Sequence, residues 1–233
     1  MRTENDSNAV VLLSGGLDST VSMAIVAEQG ISGSAVFIDY SQISSTKEEA
    51  ASRAVASRYG MELDIVRLPW LGEMSSSGLV SSVAGGEIPD FPLSGDAGDE
   101  AAASKAVWVE NRNGLFINVA AVFAASRGAD TIVTGFNREE AETYPDNSPD
   151  FIEVSDRFLA ISVGTPVRVE APTISMDKIQ IVREGLRLDI PWESVWSCYR
   201  DGELMCGRCE SCFRLKRAVA GTSAAERLRW ANG

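Results

Sequence analysis

The chain of 233 residues contains no histidine, and its only four cysteines all lie between positions 198 and 212. Without histidine, a metal site must use sulfur or oxygen ligands, and proton transfer must use Asp, Glu, Lys, Tyr, Cys or water. No run approaches the roughly 20 apolar residues of a membrane span, and the polar start MRTENDSNA lacks the apolar core of a signal peptide. We therefore expect a cytoplasmic protein without membrane contact.

Positive charge is also scarce. Lys and Arg number 21 against 33 Asp and Glu, which gives a formal net charge of −12. This balance disfavours a broad nucleic-acid-binding surface, so no stable nucleic-acid binding is expected. The excess acidic residues are expected to form a solvated surface. The length suits one large domain, or a main domain with a small appendage.

Strand and helix patterns alternate along the chain, which predicts an α/β fold with a doubly wound, mostly parallel sheet. The predicted strands span residues 9–13, 33–38, 63–66, 131–133 and 167–169. The predicted helices span residues 18–29, 46–59, 113–127, 151–161 and 176–188, with Ser175 as the cap of the last. Ligands of such folds bind at the carboxyl ends of the strands.

Two stretches interrupt this alternation. Residues 72–106 are rich in Ser, Gly and Ala, which indicates either a mobile active-site cover or a partly disordered segment. The cysteines lie in a tail that begins near residue 196, which indicates an appendage organised by a metal. The predicted division is a nucleotide-binding domain over residues 1–195 and a zinc-binding region over residues 196–233.

The string SGGLDS, residues 14–19, lies between a buried strand and a helix. In this position, free backbone N–H groups and the positive end of the helix dipole form an anion site. Gly15 and Gly16 permit close backbone approach to a ligand, and Asp18 can hold a magnesium ion or a loop N–H group. The string matches neither the Walker A pattern nor the dinucleotide fingerprint. The alternative is a glycine turn without a ligand.

SGGLDS resembles the pyrophosphate loop of the ATP pyrophosphatase (PP-loop) superfamily, whose fold is Rossmann-like, of the adenine nucleotide alpha hydrolase type. The resemblance implies that the loop holds the β- and γ-phosphates of ATP while the α-phosphate is attacked to give an adenylate. It implies that Asp39 and Tyr40 lie at the adenosine and that Lys178 neutralises phosphates; a turn former and a surface lysine are the alternatives. The implied contacts with ATP are Leu13, Ser14, Gly15, Gly16, Leu17, Asp18, Ser19, Thr20, Val21, Ser22 and Met23.

The cysteines follow the pattern Cys198-x7-Cys206-x2-Cys209-x2-Cys212. Four thiolates satisfy the tetrahedral preference of a closed, structural zinc site, which has no open position for a substrate. An iron–sulfur cluster shares the C-x2-C-x2-C spacing, although its fourth cysteine usually lies downstream. Free thiols are the remaining alternative.

Four segments in order give a more specific resemblance. Besides SGGLDS, they are VENRNGLF at residues 109–116, TGFNREEAETYPDNSPDF at residues 134–151, and SCY with CGRCESC within residues 197–212. Together they resemble the 7-cyano-7-deazaguanine synthase family. The resemblance implies an ATP-dependent ligase that converts 7-carboxy-7-deazaguanine and ammonia into 7-cyano-7-deazaguanine, through an adenylated acid and an adenylated amide. It also implies a homodimer, and a product used for queuosine or archaeosine.

The same resemblance implies roles for individual residues. Asp18, Lys178 and Arg112 are the implied catalytic residues, with magnesium as a cofactor, and Arg112 meets the substrate carboxylate or a phosphate. Tyr144 and Asp146 face the deazaguanine. The remaining implied residues are Phe151, Asn111 and Asn113 beside the substrate, and Cys198, Cys206, Cys209 and Cys212 as zinc ligands.

Some features depart from the family pattern or stay open. The family commonly has D-Y-G-Q-x-H after the second strand, whereas residues 39–44 read DYSQIS, without the histidine. Glu139, Glu140 and Glu142 form an acidic cluster, which we expect to be a solvated loop rather than a magnesium site. The alternative functions are a PP-loop adenylating enzyme that acts on a different acid or on tRNA, and a zinc-organised binding module.

Overall fold

The computed structural model describes residues 8–80, 87–91 and 97–231. The strands are β1 (Asn8–Leu12), β2 (Ser32–Asp39), β3 (Glu62–Arg67), β4 (Thr131–Val133) and β5 (Arg168–Glu170). The α-helices are α1 (Leu17–Glu28), α2 (Ser45–Arg58), α3 (Pro69–Met74), α4 (Ala97–Ala106), α5 (Arg112–Arg127), α6 (Arg138–Ala141), α7 (Pro149–Ser162), α8 (Lys178–Arg187), α9 (Glu210–Val219) and α10 (Ala224–Arg227). Short 3-10 helices span Pro145–Asn147 and Trp192–Ser194.

The five strands form one parallel sheet in the order β3-β2-β1-β4-β5. The chain builds outward from β1 through β2 to β3, and then crosses to the other side for β4 and β5. This confirms the predicted doubly wound α/β fold. The reversal falls between β1 and β4, and the crevice at the carboxyl ends of these strands is where ligands of such folds bind.

Alternating side chains of β1 pack against opposite faces of the sheet, as a strand period of two requires. Val10 contributes to the core beneath α5 and α7, together with Ile132 of β4. Ala9 and Val11 contribute to the core on the other face, which includes Val55 of α2. Because both faces are covered, β1 is apolar throughout its inner residues, which explains its sequence VVL.

A third core cluster joins the cysteine-bearing tail to the main fold. It contains Leu17 and Val21 of α1, Ile181 of α8, and Cys209 and Leu215 in and beside α9, all buried. The packing of α8 against α9 therefore belongs to the same core as the start of α1. The division into regions 1–195 and 196–233 stays a prediction, with an apolar contact across the boundary.

Helix α8 begins later than predicted, and the expectation that Ser175 caps it is wrong. The cap is Asp177, whose side chain accepts from the N–H of Gln180 at 2.8 Å. The Gln180 side chain accepts in return from the N–H of Asp177 at 2.9 Å. This reciprocal capping box satisfies two backbone N–H groups, whereas a cap at Ser175 would satisfy one.

The Ser/Gly-rich segment 72–106 falls only partly within the described residues. Residues 81–86 and 92–96 lie outside them, so the expected cover stays a prediction. The described parts contact the rest of the fold at several places. Ile43 N–H donates to Leu79 O at 2.8 Å, Phe91 N–H donates to Arg208 O at 2.6 Å, and Arg200 pairs with Asp90 at 2.7 Å. None of the helices in the described part of the chain has the length and apolar character that a membrane span requires.

Candidate active site

The SGGLDS loop connects the end of β1 to the first turn of α1 through a local hydrogen-bond network. The Ser14 and Ser19 hydroxyls lie 3.1 Å apart, and Ser19 Oγ donates to Gly16 O at 3.2 Å. Gly16 N–H donates to Ser14 Oγ at 3.4 Å. These bonds hold the loop curved around the positive end of α1. This geometry is compatible with the anion site that the sequence predicts, which stays a prediction.

Gly15 lies in the left-handed region, with a φ of 73°. A Cβ atom at this position would come within 2.5 Å of Ala51 Cβ and within 2.9 Å of the Glu48 carbonyl oxygen. Only glycine therefore fits between the loop and α2. The Gly15 carbonyl accepts from the N–H of Trp196 at 2.9 Å, which ties the loop to the segment before the cysteines.

Lys178, at the start of α8, projects into the same cavity and is buried. Its Nζ lies 2.6 Å from Asp18 Oδ2 and 3.1 Å from Glu140 Oε1. Burial disfavours the charged ammonium, but the two carboxylates outweigh burial, so the pKa of Lys178 is raised. A fixed positive charge therefore faces the SGGLDS loop, where phosphates are expected.

Asp18 is well suited to a metal ion. Burial raises its pKa, while Lys178 opposes that shift. Its Oδ2 binds Lys178, but its Oδ1 is buried and has no hydrogen-bond partner among the described residues. A buried carboxylate oxygen without a partner is an available ligand for a hard cation such as Mg²⁺. Glu140 supplies a second carboxylate next to Lys178.

The expectation of a solvated acidic loop is wrong for two of its three glutamates. Glu140 binds Lys178, and Glu139 accepts from the Lys178 N–H at 3.0 Å. The other Glu139 oxygen accepts from Arg217 of α9 at 2.8 Å. Asn137 caps α6 through the N–H of Glu140, which turns these carboxylates inward. Glu142 alone is exposed, as predicted.

Arg112 opens helix α5 and contacts the ring of Tyr40 across the cavity. Its Nη1 donates to Tyr40 Oη at 3.2 Å, and its guanidinium lies 5.8 Å from the ring centroid. Phe116 packs against the other side of Tyr40, with ring centroids 5.7 Å apart. Tyr40 thus holds the guanidinium in position. Among the described residues its other N–H groups have no hydrogen-bond partner, so they can meet an anion.

Tyr144 and Asp146 lie on the wall formed by the loop after α6. Burial raises the pKa of Tyr144 to about 12, so its phenol stays protonated, and its hydroxyl donates to Ser104 O at 3.4 Å. Burial also raises the pKa of Asp146, while Arg112 opposes that shift. Its Oδ1 is buried and lacks a hydrogen-bond partner in the described ranges. It can therefore accept from a ligand N–H group.

Glu48 of α2 is a cavity residue that the sequence did not reveal. Gln42 Nε2 donates to its Oε2 at 2.8 Å, and Ser44 Oγ donates to its Oε1 at 2.7 Å. Ser44 is the residue at the position where the family pattern has histidine. The missing histidine is thus replaced by a hydroxyl donor to a half-buried carboxyl group.

The four cysteine sulfur atoms lie within 4.8 Å of one another, and none forms a disulfide. Zinc–sulfur bonds of about 2.3 Å in a tetrahedron place sulfur atoms about 3.8 Å apart, and Cys206 Sγ lies 3.9 Å from Cys212 Sγ. The N–H groups of Arg200 and Cys206 point at Cys198 Sγ, at 3.4 and 3.3 Å, as they do around thiolates. The cluster fits one metal ion with four sulfur ligands.

One cavity collects most of the predicted site residues. Those that line it are Leu13, Ser14, Gly16, Leu17, Asp18, Ser19, Tyr40, Arg112, Asn113, Tyr144, Asp146 and Lys178. Those outside its lining are Gly15, Thr20, Val21, Ser22, Met23, Asp39, Asn111 and Phe151. Asp39 instead accepts from the N–H of Ser41 at 2.9 Å, and Phe151 packs edge-on against Phe136. Their contacts with ligands stay predictions.

The cavity also contains residues that sequence patterns did not indicate. Trp196, Ser197 and Tyr199 bring the start of the cysteine region into its wall, and Trp108 contributes from the segment before α5. Tyr199 directly follows Cys198, so its position depends on the metal cluster. Its proximity to the first cysteine is the one signal that could have revealed it.

Comparison with known proteins agrees with this geometry. The family model for "Queuosine biosynthesis protein QueC" matches residues 8–223, nearly the whole chain. The chain belongs to this family. It is 44% identical to the 7-cyano-7-deazaguanine synthase of Desulforudis audaxviator over 209 residues, 90% of this chain and 94% of the relative. It is also 44% identical to that of Methanosarcina mazei over 217 residues, 90% and 92% of the two chains.

Solved structures of low identity support the fold alone. The NMN synthetase of Francisella tularensis superposes with a TM-score of 0.50 at 12% identity, over 84% of this chain and 69% of that one. The QueC family and the parallel sheet thus agree with the PP-loop architecture that SGGLDS indicates.

Proposed function

We propose that the protein is an ATP-dependent ligase that converts 7-carboxy-7-deazaguanine and ammonia into 7-cyano-7-deazaguanine. Membership of the QueC family supports a ligase of deazapurine biosynthesis. The observation that carries the proposal is the single cavity in which the SGGLDS loop and Lys178 face Arg112 and Asp146. An adenylating enzyme needs this combination, because the α-phosphorus and the substrate carboxylate must meet in one place.

The reaction follows from the chemistry of a carboxylate, which is a poor electrophile because its leaving group would be oxide. Attack of a carboxylate oxygen on the α-phosphorus of ATP forms an acyl-adenylate and expels pyrophosphate. Ammonia displaces AMP to give the amide. The amide oxygen then attacks a second ATP in the same way, and loss of AMP and two protons from nitrogen leaves the nitrile.

The phosphate side of the cavity supplies charge neutralisation. The N–H groups at the start of α1 and the Lys178 ammonium face the β- and γ-phosphates in this proposal, and stabilise charge on departing pyrophosphate. Asp18, with its available oxygen, and Glu140 are the residues that would hold magnesium, which would screen phosphate charge. Water must be excluded because hydrolysis would destroy either adenylate.

The opposite side of the cavity supplies substrate recognition. Asp146 Oδ1, which is buried without a hydrogen-bond partner in the described residues, suits the amino and ring N–H groups of a deazaguanine. The Tyr144 hydroxyl, whose proton is donated to Ser104 O, offers an acceptor oxygen on the same wall. The guanidinium of Arg112, held against Tyr40, suits the substrate carboxylate or the α-phosphate.

The cysteine cluster fits a structural zinc ion. Four thiolates would complete the coordination sphere, so this ion would hold the fold and take no part in the reaction. Its contribution in this proposal is to fix Trp196 and Tyr199 in the cavity wall. The expected homodimer, cytoplasmic location and use of the product for queuosine or archaeosine are further parts of the proposal, supported by the resemblance alone.

Mass spectrometry of the products tests the function. Purified protein incubated with 7-carboxy-7-deazaguanine, ATP, magnesium and ammonium is expected to form the nitrile, and each component should be required. Asp18→Asn should abolish the reaction, whereas Glu142→Gln, which changes an exposed residue of a neighbouring loop, should not. ATP cleavage without nitrile would favour a PP-loop enzyme for a different acid or for tRNA. If ATP and magnesium do not raise the Tm of the protein in a thermal-shift assay, the result would favour the zinc-organised binding module.

A further inference from the structure

One carboxyl group in the cavity has no part in the reaction as proposed. Within the described part of the chain, four carboxyl side chains line the cavity: Asp18, Glu48, Glu140 and Asp146. Asp18 and Glu140 are both paired with Lys178, and Asp146 is assigned to the deazaguanine. Glu48 is the remaining one. Across residues 8–80, 87–91 and 97–231, no Lys or Arg lies within ion-pairing distance of it.

The position of Glu48 is fixed, and it is close to the phosphate loop. Neutral donors hold both carboxylate oxygens, Gln42 at 2.8 Å and Ser44 at 2.7 Å. The Gln42 amide is itself oriented, because its Oε1 accepts from the N–H of Tyr40 at 2.9 Å. The backbone of Glu48 adjoins Gly15. An ionised carboxylate has about four acceptor positions, so Glu48 can accept further hydrogen bonds from a ligand in the cavity.

The surrounding charges leave Glu48 poised to accept a proton. Burial raises its pKa, the hydrogen bonds from Gln42 and Ser44 oppose that shift, and the more distant Arg112 and Asp39 act in opposite directions. Glu48 is half-buried, and a carboxylate that is partly removed from water without a cation is stabilised when a positive group or a proton joins it. A small cationic ligand with several N–H donors meets this requirement.

We propose that Glu48 binds ammonium in the cavity and acts as the general base that converts it to ammonia. The inference rests on the proposed function, because only that reaction brings ammonium to the cavity. It assigns a site to the nitrogen substrate and a role to the one carboxyl group that the reaction leaves unused.

The step balances as follows. Ammonium transfers one proton to the Glu48 carboxylate and becomes ammonia, whose lone pair attacks the acyl carbon of the adenylate. The new carbon–nitrogen bond forms, the bond from that carbon to the AMP oxygen breaks, and AMP leaves with the electron pair. The nitrogen then loses one proton to water, which leaves the neutral amide. Glu48 returns its own proton to solvent before the next ammonium binds.

Other groups in the cavity are less suited to this role. The chain has no histidine to act as a base. Lys178 is held as an ammonium by two carboxylates, and the raised pKa of Tyr144, about 12, keeps that phenol protonated. Glu48 has no cationic partner among the described residues, and neutral donors hold both of its oxygens, so it can cycle between its two forms.

The test compares two nucleophiles with Glu48→Gln, which keeps the shape of the side chain and removes the base. Hydroxylamine is largely unprotonated at neutral pH, so it attacks an acyl-adenylate without a base. In Glu48→Gln, the ammonium-dependent rate at neutral pH is expected to fall about 10²-fold, the usual contribution of a general base. Hydroxamate formation from hydroxylamine and acid-dependent ATP–pyrophosphate exchange should remain close to wild-type. Glu49→Gln, which removes the next carboxylate of α2, is the matched control.

Three results would overturn the inference. An equal fall in rate with ammonium and with hydroxylamine would mean that Glu48 has a structural role. An unchanged rate with ammonium would mean that Glu48 is not the base. Loss of the exchange reaction would mean that Glu48 binds ATP instead, through its ribose hydroxyls for example. Because exchange is measured first in wild-type protein, its absence there would overturn the proposed function and this inference together. Exchange in wild-type protein with either of the first two results would overturn the inference alone.

Discussion

The backbone N–H of Trp196 donates a 2.9 Å hydrogen bond to the carbonyl oxygen of Gly15. This bond joins the SGGLDS loop to the segment that leads into the cysteine cluster. The indole Nε1 of Trp196 donates in turn to Cys198 O at 3.0 Å. The loop and the first cysteine are therefore linked through a single residue, and the metal cluster and the ATP site are expected to depend on each other.

Loss of the metal should weaken ATP binding. Cys209→Ser removes one of the four sulfur ligands, so the segment that holds Trp196 should lose its order, and bound metal should fall with it. We expect reduced metal content by elemental analysis and weaker ATP binding by calorimetry. Glu203→Gln, an exposed change in the same region, should alter neither. Native ATP affinity in metal-free protein would contradict the link.

Gly15→Ala should destabilise the protein far more than Gly30→Ala. Both glycines lie in the left-handed region, with φ of 73° and 71°, so both substitutions carry a backbone cost of about 1–2 kcal/mol. Only at Gly15 does a new Cβ meet other atoms, at 2.5 Å from Ala51 Cβ, and overpacking adds about 1–3 kcal/mol. Thermal unfolding of the two variants measures the difference. Equal Tm values would contradict the contact between the loop and α2.

Lys178→Met should lose both activity and stability. Without the ammonium, nitrile formation is expected to fall by about 10²–10³-fold, as when one charge-stabilising group is removed from an active site. Asp18 and Glu140 would be left as partly buried carboxylates without a cation. Breaking a fully buried pair costs about 3–5 kcal/mol, which sets the upper bound of the loss.

A second substitution separates these two effects. In the double variant Lys178→Met with Glu140→Gln, one of the two unpaired carboxylates is neutral. The Tm should therefore recover part of the fall seen in Lys178→Met, while activity stays low. Thermal denaturation measures the stability of the single and double variants, and a product assay on the same samples measures their nitrile formation. Recovery of activity together with stability would mean that Lys178 only supports the fold.

Asp146→Asn should raise stability at neutral pH and weaken substrate binding. Burial raises the folded-state pKa of Asp146 above its unfolded value, so stability is lost as pH rises through that folded pKa. Asparagine does not ionise, so the Asp146→Asn variant does not lose this stability. Its Tm should exceed that of the wild-type protein by on the order of a few degrees, and the difference should grow from acidic pH to neutral pH. Glu142→Gln should show no comparable trend. A Tm advantage that does not change with pH would contradict the buried ionised carboxylate.

The sequence was sufficient for the sheet and for the position of the SGGLDS loop between β1 and α1, because both depend on local signals. Each predicted strand overlaps an observed one, since continuous apolar runs such as VVL mark strands that are buried on both faces. SGGLDS combines glycine turns with a helix start in six residues. The spacing of the cysteines likewise predicted a cluster that the fold brings together.

The remaining features depend on distant parts of the chain. The sequence predicts a solvated Glu140 because its neighbours are polar. In the fold, Glu140 instead binds Lys178, which lies 38 positions away in the chain. Glu48 is one of several glutamates on an amphipathic helix, and only the fold turns it toward the cavity. At α8, Ser175 and Asp177 are both acceptable caps by residue type, and the reciprocal bond from Gln180 decides between them. Such choices are made by tertiary contacts.

Oxygen tracing tests most directly whether this cavity adenylates the substrate. 7-Carboxy-7-deazaguanine labelled with ¹⁸O in both carboxylate oxygens is incubated with ATP, magnesium and ammonium, and the nucleotide products are analysed by mass spectrometry. Each adenylation transfers one substrate oxygen to AMP, so every nitrile should be accompanied by two AMP molecules that each carry one ¹⁸O. If ¹⁸O appears in inorganic phosphate that forms together with ADP, or if AMP carries no ¹⁸O, the result would contradict attack at the α-phosphorus.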